Sequence, residues 1–150
     1  MKLEEEIKQT NFSSEYQKLL LNVYFTSSWF STNVARALKP FRLTLQQYNV
    51  LRILRGQQNK PASVGLIQER MLDKSSNASR LIDKLVEKKL VDRKTCPNDR
   101  RQMEIRITKK GLDLLTELDD RMSADERTAA KLISAEEAAM ASEILDRLRG

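Results

Sequence analysis

Residues 88–111 read KKLVDRKTCPNDRRQMEIRITKKG, and the fold is decided there. Met103, Ile105 and Ile107 alternate with Glu104 and Arg106, a period of two that puts the apolar side chains on one face of a strand. A partner strand is expected over Leu90–Thr95. Between them Pro97-Asn98-Asp99 supplies turn chemistry, and Arg100-Arg101 supplies exposed cation. The stretch predicts a β-hairpin with a basic tip. A rigid hairpin carrying guanidinium groups suits a narrow anionic groove, which points to DNA.

Upstream of the hairpin the period changes to three and four. Ala78, Leu81, Ile82 and Leu85 form the inner stripe of a helix expected over Ser75–Lys89. Its other face carries Ser76, Asn77, Ser79, Arg80, Asp83 and Lys84. Ser63 caps a shorter helix striped by Val64, Ile67 and Met71. Thr44 and Gln47 form a capping box for another, with Tyr48, Leu51 and Leu54 inward. Before these lies a long amphipathic helix from Ser14 to Leu38, ended by Pro40 and striped by Tyr16, Leu20, Val23, Tyr24, Phe30, Val34 and Leu38. The first dozen residues are polar and expected to fray. After the hairpin, Thr108 caps a helix lined by Leu112, Leu115, Leu118 and Met122. Ser134 and Glu137 cap a last one, with Ile144, Leu145 and Leu148 in its stripe. The expected fold is mostly α with a small β-hairpin, in the order α-α-α-α-β-β-α-α.

Two short helices joined by a tight turn, followed by a hairpin, describe a winged helix-turn-helix. The second helix presents Ser75, Ser76, Asn77 and Ser79, short side chains that allow close approach to base edges. Arg80 and Lys84 reach further, to bases or to flanking phosphates. Each also has a plainer reading: one of the short residues is a helix cap, and Arg80 and Lys84 with Asp83 and Glu87 make an ordinary solvated face.

Charge placement agrees with a polyanion partner. The net charge of the 150 residues is +6. Residues 1–110 are basic, whereas residues 111–150 hold 5 Lys+Arg against 10 Asp+Glu. One face is thus suited to DNA and the C-terminal end is not. Enzyme chemistry finds little to work with. There is no His and only one Cys, Cys96, which removes His-based acid–base and nucleophile pairs and cysteine-rich zinc sites. No glycine-rich phosphate loop is present. No metal or cofactor is expected. No apolar run approaches the roughly 20 residues of a membrane span, and residues 1–6 (MKLEEE) do not open a signal peptide. A soluble, cytoplasmic protein is expected.

The segments SSNASRLIDKLVEKKLVDRK (residues 75–94) and PNDRRQMEIRITKKG (residues 97–111) resemble the multiple-antibiotic-resistance-regulator (MarR) family of winged helix-turn-helix transcription factors. The shared pattern is a recognition helix, a "D-x-R" wing met by Asp99-Arg100-Arg101, and an "L-T-x-x-G" closing motif met by Ile107 to Gly111. The resemblance implies a homodimeric repressor on a pseudo-palindromic operator, released by a small aromatic or apolar effector. It implies dimerisation through residues 1–38 and 111–150, flanking a DNA-binding domain over 44–110. Recognition helices of two protomers would then lie roughly 34 Å apart. Arg101 resembles the wing-tip residue that enters the minor groove, with Asp99 expected to hold a guanidinium by a bidentate pair. Lys94 and Arg100 complete the expected wing contacts. An effector pocket lined by Tyr24, Phe25, Trp29, Phe30 and Phe41 is implied, although the same aromatics also suit core or dimer packing. A non-specific or architectural DNA binder, or a protein-interaction module on the same fold, are the alternative functions.

Two positions depart from the pattern. Lys89 stands where the family often has Gly, and a lysine in left-handed backbone costs on the order of 1 kcal/mol. Either the turn differs, or its ammonium gains from a nearby phosphate. Cys96 lies among Arg93, Lys94, Arg100 and Arg101, cations that favour a thiolate. It reads as an incidental exposed cysteine or, less simply, as a redox-sensitive one.

Overall fold

The computed structural model describes residues 1–150. Seven helices and one hairpin run in the order α1 (Leu3–Ile7), α2 (Glu15–Leu38), α3 (Leu45–Gly56), α4 (Val64–Arg70), α5 (Ala78–Glu87), β1 (Val91–Thr95), β2 (Met103–Ile107), α6 (Lys109–Leu132) and α7 (Ala135–Arg149). The expected order is there, with α1 added in front of it. The N-terminal residues are not frayed. Leu3 is buried, and Glu4 accepts a salt bridge from Lys18 on α2. One turn of helix is too short for a periodic signal, so only these tertiary contacts declare it.

Helix starts follow the caps. Thr44 and Gln47 satisfy one another's backbone N–H groups, at 3.1 and 3.2 Å. Ser134 and Glu137 do the same at α7. Thr108 Oγ1 accepts the N–H of Gly111 and donates to Lys89 O. It therefore caps α6 and ties it to the turn before β1.

The core gathers Leu51 and Leu54 from α3, Ile67 from α4, Ile82 and Leu85 from α5, and Val91 and Ile105 from the strands. Leu38 of α2 and Leu115 and Leu118 of α6 enter the same cluster. The hairpin is antiparallel, pairing Val91 with Ile107 and Thr95 with Met103. A third piece of backbone joins it. Ala62 and Ile105 exchange both N–H···O bonds, at 2.9 and 2.8 Å. The base of the hairpin is thereby fixed to the loop between α3 and α4. These elements make a winged helix-turn-helix head, with α4 and α5 as the two short helices.

Two long elements are less enclosed. Tyr16, Leu20 and Tyr24 belong to the expected stripe of α2, yet they are exposed, Tyr16 at 79 %. No residue of α7 is buried. A bidentate pair links α3 of the head to α6, which with α2 and α7 forms the stem. Both terminal guanidinium nitrogens of Arg55 donate to Asp119, each at 2.9 Å. The pairing spans 64 residues, so no local spacing announces it.

Lys89 has φ 60°, so the turn is built in the left-handed form that glycine favours. The Leu90 N–H reaches back to Leu85 O at 3.0 Å and the Lys89 N–H to Val86 O at 2.9 Å, which closes α5. Replacing Lys89 by Gly removes a Cβ penalty of about 1–2 kcal/mol and adds back an unfolded-state entropy of about 0.4–1 kcal/mol. Lys89→Gly is therefore expected to stabilise by roughly 0.5–1 kcal/mol. A higher urea midpoint at unchanged slope checks this, and an equal or lower midpoint refutes it.

Candidate nucleic-acid interface

The sequence placed the start of the recognition helix at Ser75. It begins at Ala78, with Asn77 as cap, its Oδ1 accepting the Arg80 N–H at 3.1 Å. Ser75 and Ser76 instead form a turn ahead of the helix. Asp73 Oδ1 accepts both the backbone N–H and the hydroxyl of Ser75, at 2.9 and 2.6 Å. Those Ser75 hydrogen bonds, with a further one from Gln46, hold the Asp73 carboxyl below the usual carboxylate range. The Ala78 N–H, otherwise an orphan of the first turn, goes to Gln68 Oε1 of α4 at 3.0 Å.

On α5, Ala78, Ile82 and Leu85 are buried, while Ser79, Arg80, Asp83 and Lys84 are exposed. The helix therefore has a dry inner stripe and a polar outer face, as its spacing predicts. Lys84 pairs with Glu87 at 3.1 Å. Arg80 makes no ion pair. Asp83 is held by Arg93 of β1, which joins the outer face of α5 to the hairpin. Arg93 was not among the expected site residues. Its partner lies 10 positions away across a turn, beyond any helical or strand spacing.

The wing tip is tight. Cys96 N–H donates to Gln102 O at 2.9 Å and Gln102 N–H to Asp99 O at 3.0 Å. Asp99 Oδ1 accepts the backbone N–H of Arg101 at 2.9 Å. The expectation that Asp99 braces a guanidinium is thus corrected: no ion pair forms there, and Asp99 shapes the turn. Lys94, Arg100 and Arg101 are exposed and have no acidic partner. Cys96 is half-buried and unpaired.

The five aromatics do not line one cavity within the chain. Phe41 lies in a groove of about 520 Å³ between the end of α2 and the start of α6, with Arg121 5.3 Å from its ring. Phe25 and Trp29 border a shallow depression with Met1 and Leu3. Trp29 packs edge-on against Phe30, with ring centres 4.9 Å apart. Tyr24 is exposed. A separate cleft of about 500 Å³ opens where stem meets head, lined in part by Val34 of α2, Leu45 and Tyr48 of α3, Leu72 between α4 and α5, and Met122 of α6. Its apolar residues are scattered over nearly ninety positions, so no sequence window shows them together.

Residues 43–103, from the end of the stem through both short helices to the second strand, match the model of the MarR family. The HTH-type transcriptional regulator MhqR of Bacillus subtilis (strain 168) is 31% identical over 102 residues, 68% of this chain and 69% of that protein. This chain belongs to the MarR family. Its members are regulators of transcription. Solved structures carry the likeness through the stem as well. A MarR transcription factor from Planctomyces limnophilus superposes with TM-score 0.68 at 27% identity, over 91% of this chain and 98% of that one. A mutant MarR from E. coli, solved in complex with operator DNA, shares the fold with TM-score 0.75 at 20% identity, over 93% and 99% of the two chains. No helix of this MarR-family regulator is long and apolar enough to cross a membrane.

Proposed function

We propose that this chain is a homodimeric repressor that occupies a pseudo-palindromic operator and leaves it when a small aromatic or apolar effector binds. The observation that carries the DNA contact is the set of unpaired cations at the wing, Lys94, Arg100 and Arg101, held beside the outer face of α5 by the Arg93–Asp83 pair. A helix with short polar residues and one free guanidinium enters the major groove. The wing beside it meets backbone and minor groove. The relative with operator DNA supports this placement by its shared fold.

Dimerisation is supported by the uncovered apolar side chains of the stem. Tyr16, Leu20, Tyr24, Trp29 and Phe30 on α2, and Met140, Leu145 and Leu148 on α7, are all exposed in the single chain. Large apolar side chains left uncovered on both of these helices suit an interaction face. Sedimentation equilibrium should return twice the chain mass, and a monomer at micromolar concentration would contradict it. An effector fits the cleft between stem and head, whose lining joins Val34, Leu45, Tyr48 and Met122.

The experiment for the wing is a single substitution. Arg101→Ala is expected to weaken operator binding by about 1–3 kcal/mol if its guanidinium enters a groove. Fluorescence anisotropy on an operator duplex at fixed salt measures it. Unaltered affinity would remove Arg101 from the interface.

A further inference from the structure

The Arg55–Asp119 pair has a geometry that charge attraction alone does not require. Arg55 is the next-to-last residue of α3, beside the buried Leu54, and Asp119 lies in α6 beside the buried Leu118. Two parallel N–H···O bonds of 2.9 Å fix the twist of the carboxylate against the guanidinium as well as its distance. A slip of one helical turn would set Leu115 or Ser123 opposite Arg55, so a single register of α6 keeps the pair. The core beneath supplies no such direction. Leu51, Leu54, Leu115 and Leu118 meet there through apolar contact, which is non-directional.

The start of α6 is already fixed to the head. Thr108 donates its N–H to Leu90 O at 3.0 Å and its hydroxyl to Lys89 O at 2.9 Å. One anchor fixes a point on a helix, and a second fixes its axis. Asp119 lies ~16 Å along α6 from Thr108, and the stem end at Leu132 lies ~36 Å from it, at about 1.5 Å per residue. A sideways slip of ~1.5 Å at Asp119 therefore grows to ~3.4 Å at Leu132, about one base-pair step of DNA.

We infer that Arg55 and Asp119 are positioning residues for operator recognition, which set the angle of the winged head on its stem and so the half-site spacing that a dimer accepts. Both act through α6 and not by touching DNA. This role rests on the reading of a homodimer on a pseudo-palindrome, and adds to it the residues that hold the two heads at one separation. It selects among operators and needs no bound effector.

The test uses the full chain and the duplex that the parent protein selects from a random-sequence library. A second duplex carries one extra base pair between the half-sites. The ratio of the two affinities is read at fixed salt. The parent should prefer the selected spacing roughly tenfold or more, the scale of one mismatched base pair. Arg55→Lys keeps the charge and loses the fork, and should cut that preference by about threefold or more. Asp119→Ala should do the same. Combining Arg55→Ala with Asp119→Ala should go no further than Asp119→Ala alone, because the two side chains act as a unit. Melting temperatures should stay near the parent's, since a partly exposed pair adds little to stability. A parental spacing preference in Arg55→Lys and Asp119→Ala, an equal loss of affinity for both duplexes, or full additivity in the double variant would each overturn the positioning role. A parent that selects no sequence would refute the DNA-binding reading instead, and one that selects a lone half-site would refute the dimer.

Discussion

Raising salt from 50 to 200 mM is expected to weaken operator binding by roughly 10³–10⁵-fold. The expectation follows from the cations left free once internal pairs are subtracted. Lys84 is taken by Glu87, Arg93 by Asp83 and Arg106 by Glu104. Arg80, Lys94, Arg100 and Arg101 have no acidic partner. Doubled by a dimer, these fall within the roughly 6–10 phosphate contacts for which that loss is typical. Each contact releases condensed counterions, so log affinity falls linearly with log salt, by about 0.9 per phosphate. Removing Lys94, Arg100 and Arg101 together should therefore flatten the slope by roughly five in a dimer. Anisotropy titrations at four salt concentrations give both slopes. A parent affinity that changes less than tenfold would sink the phosphate-contact account. A triple variant with the parental slope would move the contacts off the wing.

The hairpin was legible because its signal is local. Alternation over Met103–Ile107 fixed the limits of β2, and they stand where the period of two puts them. The start of α5 was less so. Ser75, Ser76, Asn77 and Ser79 are all good caps, and intrinsic preference does not rank them. Asp73 decides it by taking Ser75 into a turn, which leaves Asn77 to begin the helix. Asp99 failed for a related reason. An Asp two residues before an Arg suits an ion pair and a backbone turn equally, and here the turn takes the side chain. The stripes of α2 and α7 were read correctly as apolar. Periodicity reports that a face is apolar and not what covers it, and within one chain much of it remains uncovered. The cleft and the Arg55–Asp119 pair were invisible because their members meet only after α2, α3 and α6 have packed.

Gly111→Ala is expected to destabilise the protein by about 1–2 kcal/mol net, although it replaces glycine by the best helix former in the first turn of a helix. Propensity alone predicts a gain of about 0.8–1 kcal/mol. Packing opposes it. A Cβ on Gly111 would lie 2.4 Å from Leu90 O and 2.7 Å from Ile107 Cγ1. Leu90 O is backbone and accepts the Thr108 N–H at 3.0 Å, so it has no freedom to withdraw. Relief requires α6 to move off the base of the hairpin, which would pull Leu115 and Leu118 from the core. Overpacking of this kind costs about 1–3 kcal/mol and occasionally more, enough to outweigh the propensity gain. Gly65→Ala supplies the control. Gly65 lies in α4, and the nearest atom to its added Cβ is Ser63 Oγ at 3.9 Å. There propensity acts unopposed, and a gain of roughly 0.5–1 kcal/mol is expected. Urea denaturation of both variants at one protomer concentration measures the two effects, since a dimer's apparent stability varies with concentration. Opposite signs for one chemical change show that the glycine closing the "L-T-x-x-G" motif is required by contact with the hairpin base. A stabilising Gly111→Ala would mean that α6 and the wing are not locked together at this point.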